Sequence, residues 1–195
     1  KIPSWQNHKN LIFPKQLSME QCSSEHTASY KSKICTGESC IDLTGGLGID
    51  SFFISKSFKN TIHCEENLEL QFIAQHSFEC LQAKVESNFT DGIEYLKHTN
   101  QIFDLIYIDP SRRNENNTKV VKLEQYYPNI ILHLNLLLEK GKQILIKTSP
   151  LLDIKKSMEQ LPHIIEIHVI AVNNECKELL FLINANSRKK QTSII

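Results

Sequence analysis

The chain has 195 residues, enough for one α/β domain with a real core. Its 22 lysines and arginines equal its 22 aspartates and glutamates, which excludes a protein drawn as a whole to a polyanion; nucleic-acid affinity has to come from local patches or a further domain. No run approaches the roughly 18 apolar residues of a membrane span or forms the apolar core of a signal peptide, and the six cysteines contain no C-x-x-C pair, so a reduced, cytoplasmic protein with no membrane contact is expected.

Residues 1–38 carry no strand signal. The stretch "SMEQCSSEHTASYKSKI" (18–34) has helix-start chemistry twice, Ser18 before Glu20 and Ser24 before Glu25, which predicts an N-terminal helical cap. Gln21, Ser23, Ser24 and Thr27 read first as the polar face of that cap, and Tyr30 as packed or covering a ligand.

From 39 to 186, short apolar runs rich in β-formers alternate with amphipathic stretches. The runs are "SCIDL" (39–43), "TIHCE" (61–65), the weaker "KVESNF" (84–89), "FDLIYID" (103–109), "QILIK" (143–147), "IEIHVIAV" (165–172) and "ELLFLIN" (178–184). Between them, helical stripes run through Ile49, Phe52 and Phe53, then Leu70 to Leu81, then Tyr126 to Leu138 with Gly141 as a stop. A further helix is expected over about 151–161, after Pro150. The last two runs are separated only by "NNECK", too short for a crossover, so they pair antiparallel. These features predict an α/β fold: a doubly wound, mainly parallel seven-stranded sheet ending in an antiparallel hairpin. Residues 187–195, polar and basic, are expected to link to a further domain absent from this chain.

Function should sit at the carboxyl ends of the strands, where doubly wound sheets open crevices. "CIDLTGGLGID" (40–50) places Asp42, Thr44, Gly45, Gly46 and Gly48 between the first strand and a helix. Glycine there permits left-handed backbone and close ligand approach. A buried carboxylate needs a partner, and a ligand ammonium would pair Asp42 where dinucleotide phosphates would repel it. Glu65 ends the second strand, placed to accept from ribose hydroxyls. Asp91 and Gly92 of "FTDGIEYL" follow the third, within reach of an adenine amine. Three acids so distributed describe S-adenosyl-L-methionine better than NAD.

"DLTGGLG", Glu65, "TDG" and the terminal hairpin resemble the Rossmann-like S-adenosylmethionine-dependent methyltransferases over roughly residues 35–185. The near match of Gly46, Gly48 and Ser51 to G-x-G-x-x-G/A supports an NAD-dependent oxidoreductase only as a lesser alternative. After the fourth strand, "DPSRR" (109–113) is similar to the D/N-P-P-aromatic motif of amino-group methyltransferases acting on DNA and RNA. It differs by serine for the second proline and arginine for the aromatic residue. "DPSRR", "LSMEQCSSEHTASYK" and "NECKELL" together resemble a bacterial group assigned as RNA methyltransferases, in which a THUMP-like domain follows the core.

That resemblance implies methyl transfer to a base nitrogen of tRNA or rRNA. Asp109 and the Pro110 carbonyl would accept the amine N–H bonds, while Ser111, Arg112 and Arg113 would hold the nucleic acid. No metal is expected. The long segment from Ser111 to about Leu123, with Lys119 and Lys122, reads as a substrate gate. Covalent chemistry at pyrimidine carbon-5 would need a cysteine after the fifth strand, where "IKTSP" supplies Thr148 and Ser149 instead. A noncatalytic module binding S-adenosylmethionine or RNA is the alternative from outside enzymology. His63, within a strand, reads as a core residue, and Cys176, between acids in the hairpin, as part of a structural turn.

Overall fold

In the computed structural model, residues 1–13, 22–112, 122–187 and 192–195 are described. The chain divides into two units, Lys1–His98 and Thr99–Ile195.

In the first unit, strands β1 (Gly37–Asp42), β2 (Phe58–Glu65) and β3 (Val85–Phe89) run parallel in the order β3-β2-β1. Asp42 lies in register with His63, and Glu65 with Phe89. Helix α1 (Glu25–Lys31) is the predicted cap, and the Ser24 side chain accepts from the Thr27 amide at its start. The other predicted start, Ser18 and Glu20, lies outside the described residues, as does Gln21. Helices α2 (Ile49–Ile54), α3 (Leu68–Cys80) and α4 (Gly92–His98) follow the three strands.

Apolar residues from the N-terminal segment and the helices make one cluster: Ile2, Trp5, Leu11, Ala28, Leu47, Ile49, Phe53 and Ile73. Within it Trp5 meets Phe52 edge-on at 5.5 Å. Lys31, 1% exposed, pairs with Asp50 Oδ1 at 3.1 Å, and the Ser23 hydroxyl donates to Asp50 Oδ2 at 2.7 Å. Ser23 and Ser24 therefore tie the cap together. Losing either charge of a buried pair costs about 3–5 kcal/mol, so this contact fixes α1 against α2.

In the second unit the strand order is β4-β5-β7-β6-β8, from β4 (Phe103–Ile108), β5 (Gly141–Thr148), β6 (Ile164–Val172), β7 (Glu175–Asn184) and β8 (Ser193–Ile194). β4 and β5 are parallel, whereas β7 is antiparallel to both β5 and β6. The turn of the expected hairpin is Asn173-Asn174 with φ of 53° and 60°, the left-handed pair that a tight hairpin requires. All seven expected strands are present, and β8 is a short addition. It pairs parallel with β6 within the stretch read as a linker.

Helix α5 (Ile130–Lys140) starts four residues later than its apolar stripe suggested. Pro128 disfavours helical backbone at the residue before it, and the Asn129 side chain caps the helix through the Leu132 amide. Helix α6 (Ile154–Gln160) is likewise shorter than 151–161, capped by Asp153. No helix among the described residues is long and apolar enough to cross a membrane.

Candidate functional site

The first unit holds every residue expected to touch a cofactor, and the turn after β1 is closed largely by its own chain. Asp42 is 1% exposed; its Oδ1 accepts from the Thr44 amide at 3.0 Å and its Oδ2 from the Ser51 hydroxyl at 2.5 Å. It thus joins the strand end to α2. The Gly45 amide donates to the Cys64 carbonyl at 2.8 Å. Glu65 accepts twice, from the Gly46 amide through Oε2 and the Asn67 amide through Oε1, both at 2.7 Å. Burial raises the Glu65 carboxyl pKa above its ordinary value, opposed by those two amides. Asp91 accepts from the Glu94 amide at 2.9 Å and so caps α4.

The glycines separate into two kinds. A β-carbon on Gly45 would lie 2.1 Å from His63 Nε2, on Gly48 2.3 Å from the Phe78 ring, and on Gly92 2.3 Å from the Leu43 carbonyl oxygen. Those three are small because the protein's own atoms press against them. Gly46 and Gly48 both have left-handed backbone, with φ of +54° and +74°, but a β-carbon on Gly46 would meet nothing within 4 Å. Of the glycines in the turn, Gly46 is the one beside open space, and its amide donates to the Glu65 carboxylate.

His63 is the residue beneath this turn, fully buried as expected for a core histidine. Its Nδ1 lies 3.0 Å from the Ser87 hydroxyl, which also receives Gln71 Nε2 at 3.1 Å. Its Nε2 has no hydrogen-bond partner among the described residues, and burial pushes the imidazole down to about 4.

The second unit holds the motif. Asp109 Oδ2 accepts from Lys147 Nζ, one residue beyond the register pair Ile108 and Ile146 of β4 and β5. Pro110 is buried. Ser111 exchanges both backbone hydrogen bonds with Tyr127, N–H to O at 2.6 Å and O from N–H at 3.0 Å. Arg112 Nη1 donates to the Ser149 hydroxyl at 2.9 Å. Tyr126 is 2% exposed, its hydroxyl without a hydrogen-bond partner among the described residues. Burial raises its phenol pKa, against the lowering effect of Arg112. Arg113, Lys119 and most of the expected gate lie outside the described residues.

Lys147 and Tyr127 were not foreseen. The one signal for Lys147 was its place at the end of a strand parallel to the one carrying Asp109. Nothing local announced Tyr127.

The cradle suits S-adenosylmethionine chemically: a β-carbon at Gly46 would meet open space, and the Glu65 carboxylate beside it favours hydroxyl donors over phosphates. No protein-family model and no curated protein matches the chain. Among solved structures, the "putative methyltransferase" of Porphyromonas gingivalis W83 is 33% identical with a TM-score of 0.80 over 95% of this chain. The chain spans 46% of that protein, less than half its length. TrmK of M. capricolum, in complex with the cofactor product S-adenosylhomocysteine, is 15% identical with a TM-score of 0.60, covering 86% of this chain and 69% of its own. The Pyrococcus abyssi tRNA (uracil-54, C5)-methyltransferase, in complex with S-adenosylhomocysteine, is 16% identical with a TM-score of 0.59, covering 89% and 40%. The chain therefore has the Rossmann-like fold of the class I S-adenosylmethionine-dependent methyltransferases.

Proposed function

We propose that the chain is an S-adenosylmethionine-dependent methyltransferase acting on a base nitrogen of tRNA or rRNA. The observation that carries this reading is Gly46, left-handed and open to space with its amide held by Glu65. Both the M. capricolum and the Pyrococcus abyssi neighbours hold S-adenosylhomocysteine, and the second is a tRNA methyltransferase.

In this reading Thr44, Gly45, Gly46 and Gly48 border the methionine part of the cofactor. Asp42 acts from beneath by fixing Thr44 and Ser51, Glu65 accepts from the ribose, and Asp91 with Gly92 borders the adenine. Bound S-adenosylmethionine supplies an electrophilic methyl group. The protein's part is to aim a weak nucleophile. An exocyclic amine is delocalised into its ring until two acceptors draw its hydrogens out of plane, and Asp109 and the Pro110 carbonyl take that role. Lys147 holds one carboxylate oxygen so that the other keeps a fixed direction. Orientation of this kind supplies up to roughly 7–11 kcal/mol, and proton handling about 10²–10⁴ in rate. Nitrogen is favoured over pyrimidine carbon because β5 ends at Thr148 and is followed by Ser149, with no cysteine nucleophile. Arg112 and Arg113 serve the nucleic acid, and a domain beyond these residues adds affinity for it.

Calorimetric titration with S-adenosylhomocysteine tests the cofactor half, with NAD as the control ligand. Loss of the charged acceptor in Glu65→Ala should weaken binding about 10- to 100-fold. A folded chain that binds NAD and not S-adenosylhomocysteine would reverse the assignment. Transfer of labelled methyl groups to total RNA, followed by nucleoside analysis, then tests the substrate.

A further inference from the structure

We infer that Tyr127 is the face on which the substrate nucleobase lies, an inference that rests on the RNA methyltransferase reading above. Ser111 and Tyr127 form a pair that exchanges both backbone hydrogen bonds, at 2.6 and 3.0 Å. In such an antiparallel pair the two Cα atoms stand about 5.5 Å apart and the two side chains project from the same face. Tyr127 is thereby placed beside the motif although 15 residues separate it from Ser111 in sequence. Asp109, the proposed acceptor of the amine, is two residues from Ser111.

The neighbouring residues show why the ring is turned outward. Tyr126 is 2% exposed and extended, with φ of −74° and ψ of 155°. Leu123 is 1% exposed and Ile130 fully buried. These side chains anchor the segment on both sides of Tyr127. Successive side chains of extended backbone point to opposite sides, so burial of the Tyr126 ring drives the Tyr127 ring out, where it is 52% exposed. About half of this aromatic residue stays exposed, on a backbone fixed at both amide and carbonyl.

Arg112, which stands in place of the aromatic residue of the resembling motif, directs Nη1 to Ser149. That nitrogen is committed to the end of β5, and Tyr127 is the exposed aromatic residue whose backbone pairs with the motif. The partner chemistry follows. A flat π-face beside a carboxylate that accepts N–H suits an unpaired base with an exocyclic amine, held by stacking while its amine is aimed. Every base offers a π-face, so Tyr127 contributes affinity and alignment, and Asp109 contributes the choice of an amine.

The test uses the full-length protein, unaltered or with Tyr127→Phe, Tyr127→Leu or Tyr127→Ala, bound to short single-stranded RNA carrying 2-aminopurine at one position. Each protein is also titrated with S-adenosylhomocysteine. Stacking on the ring predicts quenched 2-aminopurine fluorescence with the unaltered chain and with Tyr127→Phe. Tyr127→Leu and Tyr127→Ala should lose the quenching and bind RNA about 10- to 100-fold more weakly, with S-adenosylhomocysteine affinity unchanged. RNA binding and quenching that persist in Tyr127→Ala would overturn the inference while leaving the methyltransferase reading intact. An unaltered chain that binds S-adenosylhomocysteine but no RNA would overturn the RNA reading and this inference with it. A chain that binds neither would overturn the cofactor assignment as well.

Discussion

The turn after β1 and the motif after β4 are both strand-end loops, yet they are held in different ways. The first is braced at short range within one unit: Thr44 and Ser51 on Asp42, Gly46 on Glu65, and the imidazole of His63 against Gly45. The second is held by side chains and backbone from far along the chain, with Lys147 on Asp109, Ser149 under Arg112 and Tyr127 beside Ser111. A turn packed against itself resists change by steric exclusion. A segment held by separate ties can lose one of them and keep its fold. Stability should therefore be sensitive in the first region and activity in the second.

The sharpest way to break that contrast is at Lys147. Lys147→Met leaves Asp109 partly exposed and able to hydrate, so the fold should survive. Methyl transfer should fall about 10²–10⁴-fold in kcat, as it should for Asp109→Asn, with S-adenosylhomocysteine affinity unchanged in calorimetry. A drop confined to KM would show that Lys147 binds substrate and does not position Asp109.

Next in size is Gly45→Ala, which drives a methyl group into His63 and should cost about 1–3 kcal/mol in denaturant unfolding. Adding His63→Ala should recover part of that cost. No such rescue is expected for Gly92→Ala, because its obstacle is the Leu43 backbone. Gly46→Ala meets no atom and should cost only about 1–2 kcal/mol through its left-handed backbone. Its larger consequence should be weakened S-adenosylhomocysteine binding, the reverse of the balance at Gly45.

The smallest effect is in pH. Burial raises the folded-state pKa of Glu65, so ionising it costs stability. That cost is absent below the unfolded carboxylate value and fully present above the raised one. Unfolding titrations should show the free chain gaining stability as pH falls through this window. Cofactor-product affinity should decline over the same window, by at most about tenfold per pH unit for one proton, and Glu65→Gln should abolish the dependence.

The glycine turn itself was legible in the residues, because Asp42, Gly45, Gly46 and Gly48 stand close together in sequence and the bracing of Asp42 is local. The reason for most of the glycines was not. Left-handed backbone in open space explains Gly46, whereas Gly45 and Gly48 also answer to His63 and Phe78, neighbours that only the packing of β2 and α3 provides. The strands and the terminal hairpin followed from apolar runs and from a separation, "NNECK", too short for a crossover. The start of α5 did not, since Tyr126 fits its stripe in spacing yet belongs to the extended segment before Pro128. The contacts of the motif were hidden for a related reason: pairing Asp109 with Lys147 requires the β4–β5 register, and pairing Ser111 with Tyr127 requires a chain reversal that no local pattern encodes.

The short strand β8 bears on how the protein behaves in concentrated solution. Ser193 and Ile194 lie alongside Glu166 and Ile167, the Val169 amide donates to the Ile195 carbonyl at 2.9 Å, and the Thr192 hydroxyl reaches the Ile164 carbonyl at 3.0 Å. They occupy hydrogen-bonding positions along β6 that an exposed strand would otherwise offer to another molecule. Four residues thus act as a guard against intermolecular sheet growth, and trimming them would turn a solubility problem loose before it touched any step of chemistry.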